Sequence, residues 1–145
     1  MPAIPQHIAQ LLTAAVPAGT PILQPDQQRI PAEWEEEDGH GEIVEGGRRG
    51  LAVYIEQRAP QGYVQVEEPT AVLSAGVQDV YWTAVAAVAP SHEAARTLTD
   101  LIRPALIGVP GADPGFYRPQ SPPSLLPLGS GVVMLRAVYA RTLLA

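Results

Sequence analysis

The sequence predicts an α+β fold, an antiparallel sheet with two main helices packed on one face. Three observations carry this. Ile8, Leu11, Leu12 and Ala15 recur at i, i+3, i+4 and i+7, and Ala94, Ala95, Leu98, Leu101, Ile102, Ala105 and Leu106 keep the same helical period much later. Between them, Val77 to Ala89 is a long stretch rich in β-formers and free of Gly and Pro. At the end, Val132, Met134, Arg136 and Val138 alternate with Val133, Leu135, Ala137, Tyr139 and Arg141, the period of a strand. At 145 residues the whole chain, 1–145, reads as a single domain.

Taken in order, the elements have these causes. The first helix, over residues 6–15, tolerates Pro5 in its first turn and is stopped by Pro17, Gly19 and Pro21. Ile22 and Leu23 fit a short first strand before Pro25. Residues 26–50 show no lasting hydrophobic period and form a long acidic loop, with Trp34 as its anchor. Gly46, Gly47 and Gly50 around Arg48 and Arg49 mark a turn. Leu51, Val53 and Ile55 alternate with Ala52, Tyr54 and Glu56, which predicts a half-buried strand. Pro60-Gln61-Gly62 is a turn, and Tyr63 to Glu67 a short strand or an arm. Pro90 closes the long strand. Ser91 is an N-cap, and Glu93 sits near the positive end of the second helix, over residues 92–106. Pro104 is expected to kink that helix or end it near Arg103. Residues 109–129 form a Pro/Gly-rich loop before the last strand. The expected core includes Leu11, Val80, Leu98, Leu101 and Ile102.

Composition narrows the chemistry. Hydrophobic residues make up 46% and charged residues 17%, against roughly 25% charge in a typical soluble domain. A surface this poor in charge suits a protein that covers itself with neighbours. All nine basic residues are arginine, so there is no Schiff-base lysine and no phosphate-binding loop of the Gly-Lys-Ser/Thr type. The absence of cysteine removes disulfides, thiol nucleophiles and thiolate metal sites. A net charge of −6 argues against a broad nucleic-acid-binding face. No arginine precedes Arg29, so a secretory signal is not expected. The longest apolar run, Val80 to Ala89, is about half of the ~20 residues a membrane helix needs. These features predict a soluble protein made in a cytoplasm, with no membrane partner.

No constellation in the chain predicts catalysis, a cofactor or a metal. Glu35, Glu36, Asp38, His40 and Glu42 offer ligands, but their spacing matches neither an EF-hand loop nor a helical histidine pair, and a solvated acidic face is the simpler reading. His92 lies directly beside Ser91, which prevents the facing geometry of nucleophile and base, and no Gly-x-Ser-x-Gly elbow occurs. The Arg48–Arg49 segment reads as an anion cradle or, more simply, as a hairpin turn with solvated or acid-paired arginines, which could also serve as a positive tip meeting an acidic patch on a neighbouring copy. Arg48, Arg49, Tyr63, Val64 and Val66 are therefore the candidate subunit or partner contacts, because these stretches hold too few apolar residues to build a core themselves.

Gln78-Asp79-Val80-Tyr81-Trp82-Thr83, followed by Ser91-His92-Glu93-Ala94-Ala95 and the helix through Leu106, resembles the tail terminator (tail completion) proteins of long-tailed bacteriophages. Arg136-Ala137-Val138-Tyr139 matches that family's returning last strand. The likeness follows the order of elements over most of the chain and is specific over about thirty residues around the long strand and second helix. The long loop 26–50 and the Pro-rich stretch before the last strand depart from the family pattern. The resemblance implies a virion protein, not an enzyme. It would form a ring, commonly of six copies, on the last ring of tail-tube protein, and present a surface to the head-tail connector or stopper. DNA would pass through the channel without specific binding. In such a ring Glu35, Glu36, Glu37 and Asp38 are expected to face the lumen, where carboxylates repel phosphate. Two other readings stay open: another neck component, such as a head-closure or stopper protein, and a small-molecule-binding α+β domain.

Overall fold

The computed structural model describes residues 4–27, 55–56, 58–76, 78–107, 117–129 and 131–144. Two helices, α1 (Ile4–Thr13) and α2 (His92–Ile107), accompany seven strands: β1 (Ile22–Leu23), β2 (Tyr63–Val66), β3 (Thr70–Ala75), β4 (Gln78–Ala89), β5 (Arg118–Pro119), β6 (Ser124–Gly129) and β7 (Val132–Leu144). The architecture is α+β with a mixed sheet of seven strands.

Its centre is the antiparallel pair β4–β7, in register from Gln78↔Leu144 to Ala89↔Val133. Each of these long strands is flanked on its outer edge by two short ones. β2 pairs with β4 at Val85–Val88 and β3 at Gln78–Trp82. On the other side, β6 pairs with β7 at Val132–Arg136 and β5 at Tyr139–Ala140. β1 lies parallel to β2, so the sheet is not wholly antiparallel.

Alternation along the central strands sorts the side chains. Val64, Val66, Val85, Ala87, Ala137 and Tyr139 face the helices and join Ile8, Leu12, Leu98, Ile102 and Leu106 in one core. Burial recurs along α2 at Ala95, Leu98, Ile102 and Leu106, the period of a helix with one face against a sheet. Ser91 accepts a hydrogen bond from the Ala94 amide at 3.1 Å, the N-cap expected from sequence. On the opposite face, Tyr63, Val88 and Val132 pack with Ile55 and Ala59 in a smaller cluster. Beside it Arg136 makes a two-pronged ion pair with Glu67, at 2.7 and 3.1 Å. In the register, β4 lies between these two residues and presents Ala84 and Ala86, whose short side chains leave room for the long ones to meet above them.

Several expectations need correction. Ile55 and Glu56 are helical, with the Ala59 amide bonded to the Ile55 carbonyl at 3.0 Å, not part of a strand. An i to i+4 bond belongs to a helical turn and not to a strand, and Leu51 to Tyr54, the rest of that alternation, lie outside the described residues. Of the two outcomes expected at Pro104, a kink or an end near Arg103, the end does not occur, and α2 runs through to Ile107. Pro104 and Asp100, the residue whose carbonyl it leaves without a donor, are both exposed, so water can take the lost bond. The stretch 109–129 is not all loop, since β5 and β6 lie within it. Leu11, Val80 and Leu101 are half-buried rather than core.

Candidate functional site

The residues singled out from sequence fall into two groups. Glu35, Glu36, Glu37, Asp38, Arg48 and Arg49 lie outside the described residues. Tyr63, Val64 and Val66 are not a projecting arm: they are 3%, 0% and 0% exposed, inside the protomer. β2 is an inner strand, paired on both edges and covered on both faces, so it buries even Gln65. The Gln65 amide donates to the carbonyls of Gln24 at 3.2 Å and Val66 at 2.9 Å, which ties β2 to the segment after β1. The sequence reading missed this because four residues with a glutamine among them carry too weak a period to show two-sided burial.

A polar network joins α1, β7 and the start of β5. The Tyr117 hydroxyl and His7 Nδ1 are 2.9 Å apart, and an Arg141 guanidinium nitrogen donates to the Tyr117 oxygen at 3.2 Å. The same guanidinium nitrogen also meets His7 Nδ1, which closes a three-way cluster of His7, Tyr117 and Arg141. The guanidinium also stacks over the Tyr117 ring, 5.1 Å from its centre. Burial raises the Tyr117 pKa, against the opposing pull of Arg141, so the phenol stays protonated. A protonated phenol held between a histidine and an arginine is a strut, and the Tyr117 amide bond to the Leu106 carbonyl at 2.9 Å reinforces it.

Tyr139 has a measurable consequence. Burial pushes its hydroxyl up to about 12, and the Arg103 guanidinium nearby pulls the other way. In the unfolded chain the phenol ionises near its ordinary 10. Between those values the unfolded state loses a proton that the folded state keeps. Stability is therefore fully present below pH 10 and falls by roughly 1.4 kcal/mol per pH unit up to about 12. Tyr117 adds to the same trend. Urea unfolding at stepped alkaline pH should show this decline, and Tyr139→Phe should flatten it. An equal slope in the variant would place the titration elsewhere.

Among the described residues, no group of three or more His, Cys, Asp or Glu is placed to hold a metal ion. His92 is exposed, and the Ser91 hydroxyl is engaged as a cap. An open cleft of about 470 Å³ lies between the first turn of α1 and the β2–β3 connection, with Ile4, Tyr81, Pro25 and Pro69 as walls and Asp26 and Glu68 as charged groups. No helix among the described residues is long and apolar enough to cross a membrane.

The surface itself shows a pattern that the sequence reading did not anticipate. Among the described residues, the exposed large hydrophobics are Val72, Leu73, Trp82, Leu125 and Leu126, at 42%, 58%, 40%, 46% and 50%. Four belong to β3 and β6, and Trp82 is the cross-strand partner of Thr70 in β3. Among the described residues, the exposed large apolar side chains are thus gathered on and beside two flanking strands on opposite sides of the sheet. Leu125-Leu126 in an uncharged run was the available signal, but the surrounding prolines disguised the strand. No protein-family model matches the sequence, and no curated protein matches it.

Proposed function

We propose that this chain is a structural subunit of a phage virion. It forms a ring at the head-proximal end of the tail, ends tail-tube polymerisation and joins the tail to the head connector. The observation that carries the reading is the concentration of exposed apolar side chains on two different flanking strands. A subunit that meets its neighbours through two unlike surfaces builds a ring when the rotation closes. The order of elements supports the same reading: an opening helix, a long strand leading into a second helix, and a long returning strand are what the tail terminator resemblance implies. A net charge of −6 suits a channel through which DNA slides without binding.

The experiment is the native mass of the purified protein, alone and mixed with tail-tube protein. A ring-sized species, capped onto the tube protein in the mixture, is the expected result. A 15.4 kDa monomer in both samples would overturn the reading. It would favour a small-molecule-binding domain, for which the 470 Å³ cleft is large enough. A ring that binds connector but not tube protein would point to a head-closure or stopper role.

A further inference from the structure

We infer that neighbouring copies join by sheet continuation, β3 of one copy adding to β6 of the next. This deepens the ring reading and rests on it. β3 and β6 are each paired on one side only among the described residues, β3 to β4 and β6 to β7. Each is six residues long. Their sequences, Thr-Ala-Val-Leu-Ser-Ala and Ser-Leu-Leu-Pro-Leu-Gly, contain no charged residue. An edge strand offers a row of unpaired N–H and C=O groups, and proteins that stay monomeric blunt such edges with charge, proline, bulges or short length. Neither strand uses charge: both carry exposed leucines, and the bulge in β3 and the proline and bulge in β6 each leave most of the strand's length open to pairing.

Topology makes the two edges compatible. β3 and β6 are antiparallel to β4 and β7 respectively, and β4 is antiparallel to β7, so β3 and β6 run in opposite directions at opposite sides of the sheet. When a second copy follows the first with the same face outward, its β3 meets β6 as an antiparallel partner. Leu73 pairs with Val80 and Leu126 with Met134, which places both leucines on the face away from the helices. In the register that centres one six-residue strand on the other, continuation sets Leu73 and Leu126 beside each other across the joint. The bulge at Val72 in β3, and in β6 the missing N–H of Pro127 with the register shift that follows it, favour a single register over indiscriminate pairing. β3 flanks one end of the long strand pair and β6 the other. Copies joined this way are offset along the strands, so closure requires strands inclined to the ring axis, as in any closed barrel.

The natural chain has no cysteine, which makes the test direct. Leu73→Cys and Leu126→Cys, both at exposed mid-strand positions, are prepared singly and together. A disulfide needs Cα atoms within about 7 Å, and a short bis-maleimide covers a slip in register. The double variant should give a ladder of linked multimers, an equimolar mixture of the single variants should give dimers only, and each single variant alone should stay unlinked. Leu126→Cys combined with Thr97→Cys, on the exposed side of α2, should also stay unlinked. Single variants that link to themselves would overturn this pairing in favour of a two-fold contact. A ring by native mass without the ladder would overturn the pairing and leave the ring standing. A monomer by native mass, with and without tube protein, would overturn the ring as well.

Discussion

Gly62→Ala should cost the protein about 2–5 kcal/mol, enough to remove a large share of the stability of an ordinary domain. Two effects add. Gly62 has φ of 97°, a left-handed conformation that costs an L-residue about 1–2 kcal/mol. A Cβ there would also lie 2.6 Å from the Val88 carbonyl oxygen, 2.9 Å from the Ala89 Cβ and 2.9 Å from Leu98 Cδ1. The first two neighbours belong to the central strand β4 and cannot swing aside as a flexible side chain would. The position is crowded because the chain turns there, with the Gly62 amide on the Ala59 carbonyl at 2.8 Å, before entering β2 across the end of β4 and under α2. Gly19 supplies the control, with φ of 86° and nothing within 4 Å of its ideal Cβ. Gly19→Ala should lose only the conformational part. Urea midpoints for the two variants would separate strain from collision, and equal losses would show that the packing at Gly62 is looser than described.

What the sequence made legible was whatever has a long period. β4, β7 and α2 are each twelve residues or more. Over that length the spacing of apolar residues distinguishes helix from strand, and the two faces of β7 were separable from sequence alone. Short elements were not legible in this way. Ile55 and Glu56 end a six-residue alternation too short to exclude a helical turn. β3 breaks its own alternation at the bulge between Ala71 and Leu73. β6 carries a proline and lies in a stretch whose prolines read as loop. The candidate interface was harder still, because exposure there is set by which strands are flanking ones. β2 and β3 occupy the same edge of β4, one continued by β1 and the other open. Nothing local in Tyr63–Val66 or Thr70–Ala75 records that difference. Tyr63, Val64 and Val66 were therefore expected at a surface they do not reach, and Leu73 and Leu126 were passed over.

The same distinction between period and depth sets the second large expected effect. Leu98 and Leu101 both fall within the helical pattern of α2, yet Leu98 is 2% exposed while Leu101 is only half-buried. Three residues along a helix turn by about 300°, so Leu101 sits some 60° off the line through Leu98. Leu98 shares the core with Val64, Val85 and Ala137, and its Cδ1 lies 2.9 Å from where a Cβ on residue 62 would be. Truncating it leaves a cavity walled by a strand pair that cannot collapse, so Leu98→Ala should cost about 2–5 kcal/mol. Leu101→Ala removes apolar area that water already partly reaches and encloses no void, so its cost should be about 1 kcal/mol. Urea denaturation of both variants under identical conditions, with unchanged slopes, would give the difference directly. Equal losses would mean that α2 is rotated about its axis so that Leu101 shares the buried line, and the assignment of its inner face to Ala95, Leu98, Ile102 and Leu106 would fail.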